Sequence, residues 1–408
     1  MRLLFYPTGL RICGSHINAV EVAGAVSRQG HDVVIYGQGG PLEEMVARLG
    51  IPFVRATSTS LQLETKVVRE LADVVRSHRT DVVHSFEWRP TVDAVLAAQI
   101  PFRVPVVSTV YSMSVPQFFP THVPLVVGTH VIADAARRRQ RAKVSVIEPP
   151  VDLTVHHNAE PSHRDDLDTV TVVIVSRLHP TLKLTGILEA VEAVDQLAQL
   201  HPERSVELVV VGDGPSSDAV RGAAEAASAR GHAAVRMIGA ILDPTPYYRM
   251  ADIVIGMGHS ALRAMASGKP TIIQGEDGFW ELVTALSAPT FLRTGWYGIG
   301  SDEQGPRGLS KLLGILHRLV QDPACRAHSA ETGRRLTAER FCLERAAARQ
   351  IAIYEAAVRQ RPSRAVALVE AVRMLSGITL HSVRSRLSGD DEPWDFNRKH
   401  VQPLASFR

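Results

Sequence analysis

Cysteine is scarce in this chain. There are three in 408 residues, Cys13, Cys325 and Cys342, far apart in sequence. Such spacing makes neither a disulfide framework nor a thiolate metal site, and a reducing cytoplasm is the simplest home for it. Neither sign of charge prevails: the net charge is only +3. There is no aromatic-basic array and no recognised nucleic-acid motif, so no nucleic-acid partner is expected. Long apolar runs are missing too; no stretch approaches the ~20 apolar residues of a membrane span. The apolar start, Met1 to Gly9, is too short for a signal peptide and no small-residue cleavage site follows it, so it is expected to be a buried strand. What remains is a globular composition, 45% hydrophobic and 21% charged, long enough for two α/β domains.

Strands and helices alternate along the chain. Leu3 to Tyr6 is followed by Gly9, Gly14 and Ser15, a helical pattern from Ile17 to Arg28, and a strand from Val33 to Tyr36. Ile17, Val20, Ala23 and Val26 make one apolar helix face. An amphipathic helix over 63–77, a strand ending Asp81-Val82-Val83-His84, a strand from Val104 to Val110, and short strands at Leu125–Val127 and Val131-Ile132 continue the rhythm. This is the βαβ pattern of a parallel, doubly wound sheet. A polar stretch near residues 149 to 168 suits a linker between domains. The first domain is expected over 1–165 and the second over 166–345.

The second domain carries the chemistry. Val170 to Val175 is a short apolar run that predicts a buried parallel strand. Ser176-Arg177-Leu178-His179-Pro180-Thr181-Leu182-Lys183 follows it. Two cations at the carboxyl end of such a strand face the crevice where open α/β sheets bind ligands, a place to hold a diphosphate. No acidic cluster for a metal accompanies them. Standing alone, the pair would more simply be read as surface cations at a strand end. Val206 to Val211 is a further strand, closed by Gly212-Asp213-Gly214-Pro215, and Val235 to Gly239 another. Then Ala251 to Ile273 runs strand, glycine loop, short helix, glycine stop and strand. Gly258 permits close backbone approach, and the N–H groups of His259, Ser260 and Ala261 open a helix whose positive end suits phosphate.

These motifs, "VSRLHPTLKL", "VVVGDGP", "MADIVIG" and "ALRAMASGKPTII", occur in an order and spacing that resembles family 4 of the retaining glycosyltransferases, over roughly residues 1 to 355. The resemblance implies a GT-B fold: α/β, two doubly wound Rossmann-like domains facing a central cleft. It implies that Arg177 and Lys183 contact the donor diphosphate, and that Gly14 and Ser15 lie in the glycine loop facing the donor phosphates. It also implies that a last helix, Glu344 to Val358, returns to the first domain, and the crossover helix is expected over 346–360. The chain departs from the family at informative places. Arg263 stands where the family reads ribose with a glutamate, and a guanidinium donates where a carboxylate accepts. Met257-Gly258 replaces the other usual glutamate. Glu276, after the next strand, is either a replacement carboxylate or a solvated loop charge. Tyr111 stands where the family has a histidine; it offers a hydroxyl but is a far weaker base. His84 matches a strand end that either touches acceptor or merely caps the strand. Phe118 and Phe119 either line an acceptor pocket or pack under a loop.

The expected activity is metal-independent, retaining, hexosyltransferase-like transfer from a nucleotide-diphosphate sugar to an unknown acceptor. No cofactor is expected beyond that co-substrate. Catalysis would be mainly electrostatic, with the leaving phosphate assisting deprotonation. Two rivals stay open. One is a same-fold enzyme with altered chemistry, pseudo-sugar coupling or nucleotide-sugar epimerisation. The other is a non-catalytic pseudo-glycosyltransferase partner. The tail, 361–408, carries an amphipathic pattern from Ala365 to Leu387 that fits a helix packed on its domain, a homodimer contact, or a peripheral membrane contact; the rest of it is expected to be loosely ordered.

Overall fold

A computed structural model describes residues 1–57, 65–112, 114–138, 143–156, 168–300 and 305–388. The chain divides into two compact units, Met1–Pro150 joined by the chain from Leu343 onward, and Val151–Cys342. The division falls before the expected 165 because Val151 already belongs to the second unit: its N–H donates to the Phe341 carbonyl at 2.7 Å. The expected loose order beyond Leu387 concerns residues 389–408, which lie outside the described residues, as do 157–167 of the polar stretch.

The first unit is built on β1 (Arg2–Tyr6), β2 (Asp32–Gly37), β3 (Phe53–Arg55), β4 (Val82–Phe86), β5 (Val106–Val110), β6 (Leu125–Val127) and β7 (Val144–Val146). Their order is β3-β2-β1-β4-β5-β6-β7, and every neighbouring pair is parallel. A parallel sheet covered on both faces needs continuous apolar strands, and Leu3, Leu4 and Phe5 are fully buried. Val131-Ile132, expected as a strand, lies instead in the helix His130–Arg138. The Thr129 hydroxyl accepts from the Ile132 N–H at 3.2 Å, a side-chain cap that starts a helix, and Ala133 and Ala136 supply its buried face.

Helix Leu343–Arg359 completes this unit. Arg28 pairs with Glu344 at 2.7 Å, and Tyr354 is fully buried against β1 and β4. Helix Arg364–Ser388 follows. It corrects one expectation: its segment Arg364–Arg384 is, by length and composition, long and apolar enough to cross a membrane. The interspersed Ser, Thr, Gly and His residues break up the run and hide it from inspection of the sequence.

The second unit is built on β8 (Thr169–Val175), β9 (Ser205–Val211), β10 (Ala234–Gly239), β11 (Ile253–Gly256), β12 (Thr271–Gln274) and β13 (Trp280–Leu282). Their order is β10-β9-β8-β11-β12-β13. All pairs are parallel except β12 with β13. Val170, Val172 and Ile174 of β8 join Leu312, Leu316 and Leu319 of helix Gly305–Gln321 in one core. Both units are doubly wound α/β sheets. In the first, strand order reverses between β1 and β4; in the second, between β8 and β11.

Candidate functional site

Ligands of open α/β sheets bind outside the carboxyl ends of the strands where the order reverses. In the second unit that point is followed by the loop Ser176–Lys183. Its middle is pinned by Leu178, which is fully buried. The Leu178 N–H donates to the Asp213 carbonyl at 2.9 Å, and its carbonyl accepts from the Ser216 N–H at 3.0 Å. Backbone can come so near backbone only because the neighbouring loop has glycines. A Cβ on Gly212, at φ 144°, would sit 1.8 Å from the Ser176 carbonyl oxygen, and one on Gly214, at φ 157°, would sit 2.2 Å from that of Leu178. Arg177 is exposed at the crest of this loop.

Lys183 sits at the N-cap of helix Leu184–Leu200, next to Leu182, which takes a left-handed φ of 71°. The Gln274 amide, at the end of β12, donates from Nε2 to the Lys183 carbonyl at 2.8 Å. A Cβ on Gly186 would lie 2.4 Å from that nitrogen, so this glycine makes the tie sterically possible. Among the described residues, neither the Arg177 nor the Lys183 side chain has a carboxylate partner or a side-chain hydrogen bond. Loss of water around the ammonium, and then the charge of Arg177, hold the Lys183 pKa down to about 7. Two neighbouring cations without a carboxylate partner among the described residues, on a loop pinned through Leu178, are an arrangement whose charge can hold an anion.

β11 ends beside β8 and leads through Met257 and Gly258 to helix His259–Ala266. A Cβ on Gly256 would come within 2.8 Å of the Ala261 nitrogen, so glycine is what lets the helix start against the strand end. Gly258 takes φ 62° with open space around its Cβ position. The first bond within the helix runs from the Leu262 N–H to the Gly258 carbonyl at 3.2 Å. The N–H groups of Ser260 and Ala261 are therefore not spent inside the helix. The Ser260 hydroxyl closes the turn, 3.2 Å from the Met257 nitrogen. His259 is half-buried at the helix start.

Arg263 is 8% exposed. Its charge acts on His156, Tyr248 and Asp243, which fixes its surroundings as Asp243, His156 and the helix Thr245–Met250. Glu276 follows β12, half-buried, and accepts a short hydrogen bond from the Tyr297 hydroxyl. Its backbone is held as well: its N–H donates to the Gly298 carbonyl, and its carbonyl accepts from the Gly300 N–H, both at 2.9 Å.

In the first unit the corresponding point lies after β1, β4 and β5. Cys13 caps helix Gly14–Arg28 in an extended conformation, with Gly14 exposed and Ser15 half-buried at its start. The Cys13 thiol lies 3.7 Å from the Ser15 hydroxyl. Burial pushes this thiol up, but hydrogen bonding and charge from His16 outweigh it, and the pKa falls to about 7. Glu87, directly after β4, was not singled out from the sequence. It holds a left-handed φ of 69°, a strained conformation for a side-chain-bearing residue. Its carboxylate accepts from the N–H groups of Tyr111 at 3.0 Å and Ser112 at 3.2 Å, and from the Ser112 hydroxyl. Burial raises its pKa against these bonds. Nothing in Phe86-Glu87-Trp88 signals this; only the strand end places it. Tyr111 is half-buried after β5, and burial, then Glu148 and Glu87, push its hydroxyl pKa up, which keeps the phenol protonated.

Two alternatives that the sequence left open are decided by burial. His84 is 1% exposed, with Nε2 2.8 Å from the Thr109 hydroxyl and Nδ1 2.6 Å from that of Tyr354. A side chain so enclosed cannot meet an acceptor, and the acceptor role is withdrawn. Phe118 and Phe119 are 7% and 1% exposed and pack as core.

Two family profiles match the sequence in succession. The one described as Glycosyltransferase Family 4 matches residues 14–155, and the one described as Glycosyl transferases group 1 matches residues 169–292. No curated protein sequence matches the chain. Among solved structures, Alr3699/HepE of Anabaena, in complex with UDP and glucose, is similar at a TM-score of 0.65 and 17% identity, over 87% of this chain and 99% of that one. A glycosyltransferase from Rickettsia africae is similar at 0.64 and 17%, over 88% and 99%. WaaG, a glycosyltransferase involved in lipopolysaccharide biosynthesis, is similar at 0.59 and 14%, over 85% and 98%.

Proposed function

The chain is a GT-B protein whose two parts match glycosyltransferase family profiles, and from that premise we propose that it is a retaining glycosyltransferase using a nucleoside-diphosphate sugar. One observation carries the proposal: among the described residues Arg177 and Lys183 stand together without a carboxylate partner, on a pinned loop at the reversal point of the second sheet. The complex of the Anabaena structure with UDP and glucose accords with this choice of donor.

In the proposed reaction the bond between the sugar's anomeric carbon and the terminal phosphate oxygen breaks. Its electron pair stays on the leaving diphosphate. The acceptor hydroxyl oxygen bonds to the anomeric carbon on the same face, and its proton passes to the leaving phosphate. The residues of this chain act by stabilising charge: Arg177 and Lys183 offset the charge gathering on the diphosphate, and the unspent N–H groups of Ser260 and Ala261 add to it. No metal ion or cofactor is assigned to the step. On the acceptor side, Glu87 fixes the backbone at Tyr111 and Ser112, and Gly14 and Ser15 open the helix beside it. We place the activity in a reducing compartment such as the cytoplasm, where the three free cysteines remain thiols.

A second reading rests on Arg263. A buried arginine facing Asp243 cannot accept ribose hydroxyl hydrogens as a carboxylate would. It favours an unusual donor, altered chemistry at the same phosphate site, or a non-catalytic partner. A donor-hydrolysis screen over nucleotide sugars, run on the wild type and on Lys183→Ala, decides among them. Transferase function predicts slow release of sugar from one donor, reduced at least ~100-fold by the substitution. Hydrolysis that survives Lys183→Ala at full rate would remove the proposed site.

A further inference from the structure

We infer that the outer face of helix Arg364–Ser388 rests on an anionic lipid surface. The helix is already docked by its inner face. Ala367, Ala371 and Met374 are 0%, 4% and 0% exposed. Glu370 accepts from the Thr121 N–H at 2.7 Å, and Arg373 donates to the Phe119 carbonyl at 2.9 Å. A Cβ on Gly377 would lie 2.4 Å from that of Phe118. So the helix needs no second subunit to be held in place.

Among the described residues, nothing covers its other face. Leu368, Val369, Val372, Leu380, Val383 and Leu387 are 50%, 68%, 64%, 52%, 47% and 83% exposed. In a helix of this pitch these positions share one side, opposite Ala367, Ala371 and Met374. An exposed apolar stripe of this kind, here interrupted by Ser376 and Thr379, marks an interaction surface. By length and composition the segment is apolar enough to cross a membrane, but its inner face is pinned to the first unit, so it lies along a surface and does not span one.

Charge decides between lipid and a second copy. From Arg361 to Ser388 the only carboxylate is Glu370, and it is turned inward to Thr121. The stripe is bounded by cations at both ends, Arg361 and Arg364 before it, and Arg384 and Arg386 after it, all exposed. Within the described helix, pairing two copies through this face would set arginines against arginines, with no outward-facing carboxylate between 361 and 388 to receive them. An anionic bilayer receives them well: the apolar side chains enter the acyl boundary while the arginines meet phosphate headgroups. This inference does not depend on the donor assignment.

The test is co-sedimentation of the full chain with vesicles of phosphatidylcholine alone and of phosphatidylcholine mixed with phosphatidylglycerol. The account predicts at least tenfold stronger partitioning onto the anionic vesicles, weakened by salt. Val369→Glu with Val372→Glu, both on the exposed side, should remove it while far-ultraviolet circular dichroism stays unchanged. Arg384→Gln with Arg386→Gln should abolish the preference for anionic lipid, a readout that holds even if the glutamate variant fails to fold. Partitioning that is absent, or equal on both vesicle types, overturns the inference. So does a wild-type dimer, seen by light scattering, that the glutamate pair turns into a monomer, because the face then belongs to a second copy.

Discussion

Both ring nitrogens of His84 are engaged, and burial holds its pKa down to about 3. His156, also buried, is lowered to about 3 by burial and then by Arg263. Folded protein therefore carries fewer protons at these sites than the unfolded chain between the ordinary 6.5 and about 3. Their stabilisation is complete above pH 6.5 and is lost as the pH falls through that window. Asp93, raised to about 6 by burial against the pull of Arg89, acts in the opposite sense. Comparing wild type with His84→Gln in urea titrations isolates the histidine term, because Asp93 is common to both. The wild type should lose stability more steeply from pH 6.5 to 4.5; parallel curves would mean that His84 is hydrated. At this scale the sequence was legible where chemistry is unusual and silent where it is positional. Arg177 and Lys183 stand out by spacing. His84, Glu87 and Gln274 take their roles from neighbours far along the chain, Tyr354, Tyr111 and Lys183, which no local pattern reveals.

The elements of the site are loops fitted to one another through glycine. A methyl group on Gly212 collides with the Ser176 carbonyl and has an unfavourable φ of 144°. Gly212→Ala should therefore cost roughly 2 kcal/mol or more and weaken anion binding as the Arg177 loop shifts. Gly222→Ala is the control: it lies within helix Ser217–Arg230 with nothing within 4 Å of its Cβ position, and should stabilise by about 0.5–1 kcal/mol. Urea denaturation of both checks the contrast, and equal behaviour would mean that the loops are not in contact. The buried strands β1, β8, β9 and β11 were readable as apolar runs, and the helices as 3.6-residue patterns. Short elements were not. Val131-Ile132 looks β-forming, but Thr129 caps it into a helix. The antiparallel β13 is three residues long, and its Trp280 is fixed by a 2.7 Å bond to Glu189, a tertiary contact that leaves no periodicity.

Across the whole molecule, two doubly wound units are present, and the returning helix Leu343–Arg359 makes the first one discontinuous in sequence. The apolar patterns made the two sheets visible; the return was visible only through the family resemblance. The central claim concerns the second unit: that its reversal point binds a nucleoside diphosphate through Arg177 and Lys183. Lys183, held near pKa 7 by burial and by Arg177, must gain proton occupancy when an anion arrives, since an opposite charge favours the ammonium. Binding should thus take up protons around pH 7 to 8, and affinity should fall as the pH rises through that range. The direct measurement is isothermal titration calorimetry of a panel of nucleoside diphosphates, in buffers of differing ionisation enthalpy, on the wild type and Lys183→Met. The account predicts one site, proton uptake in the wild type, and at least tenfold weaker binding without proton uptake in the variant. No binding of any nucleoside diphosphate, or the same affinity and proton linkage in both proteins, would contradict it.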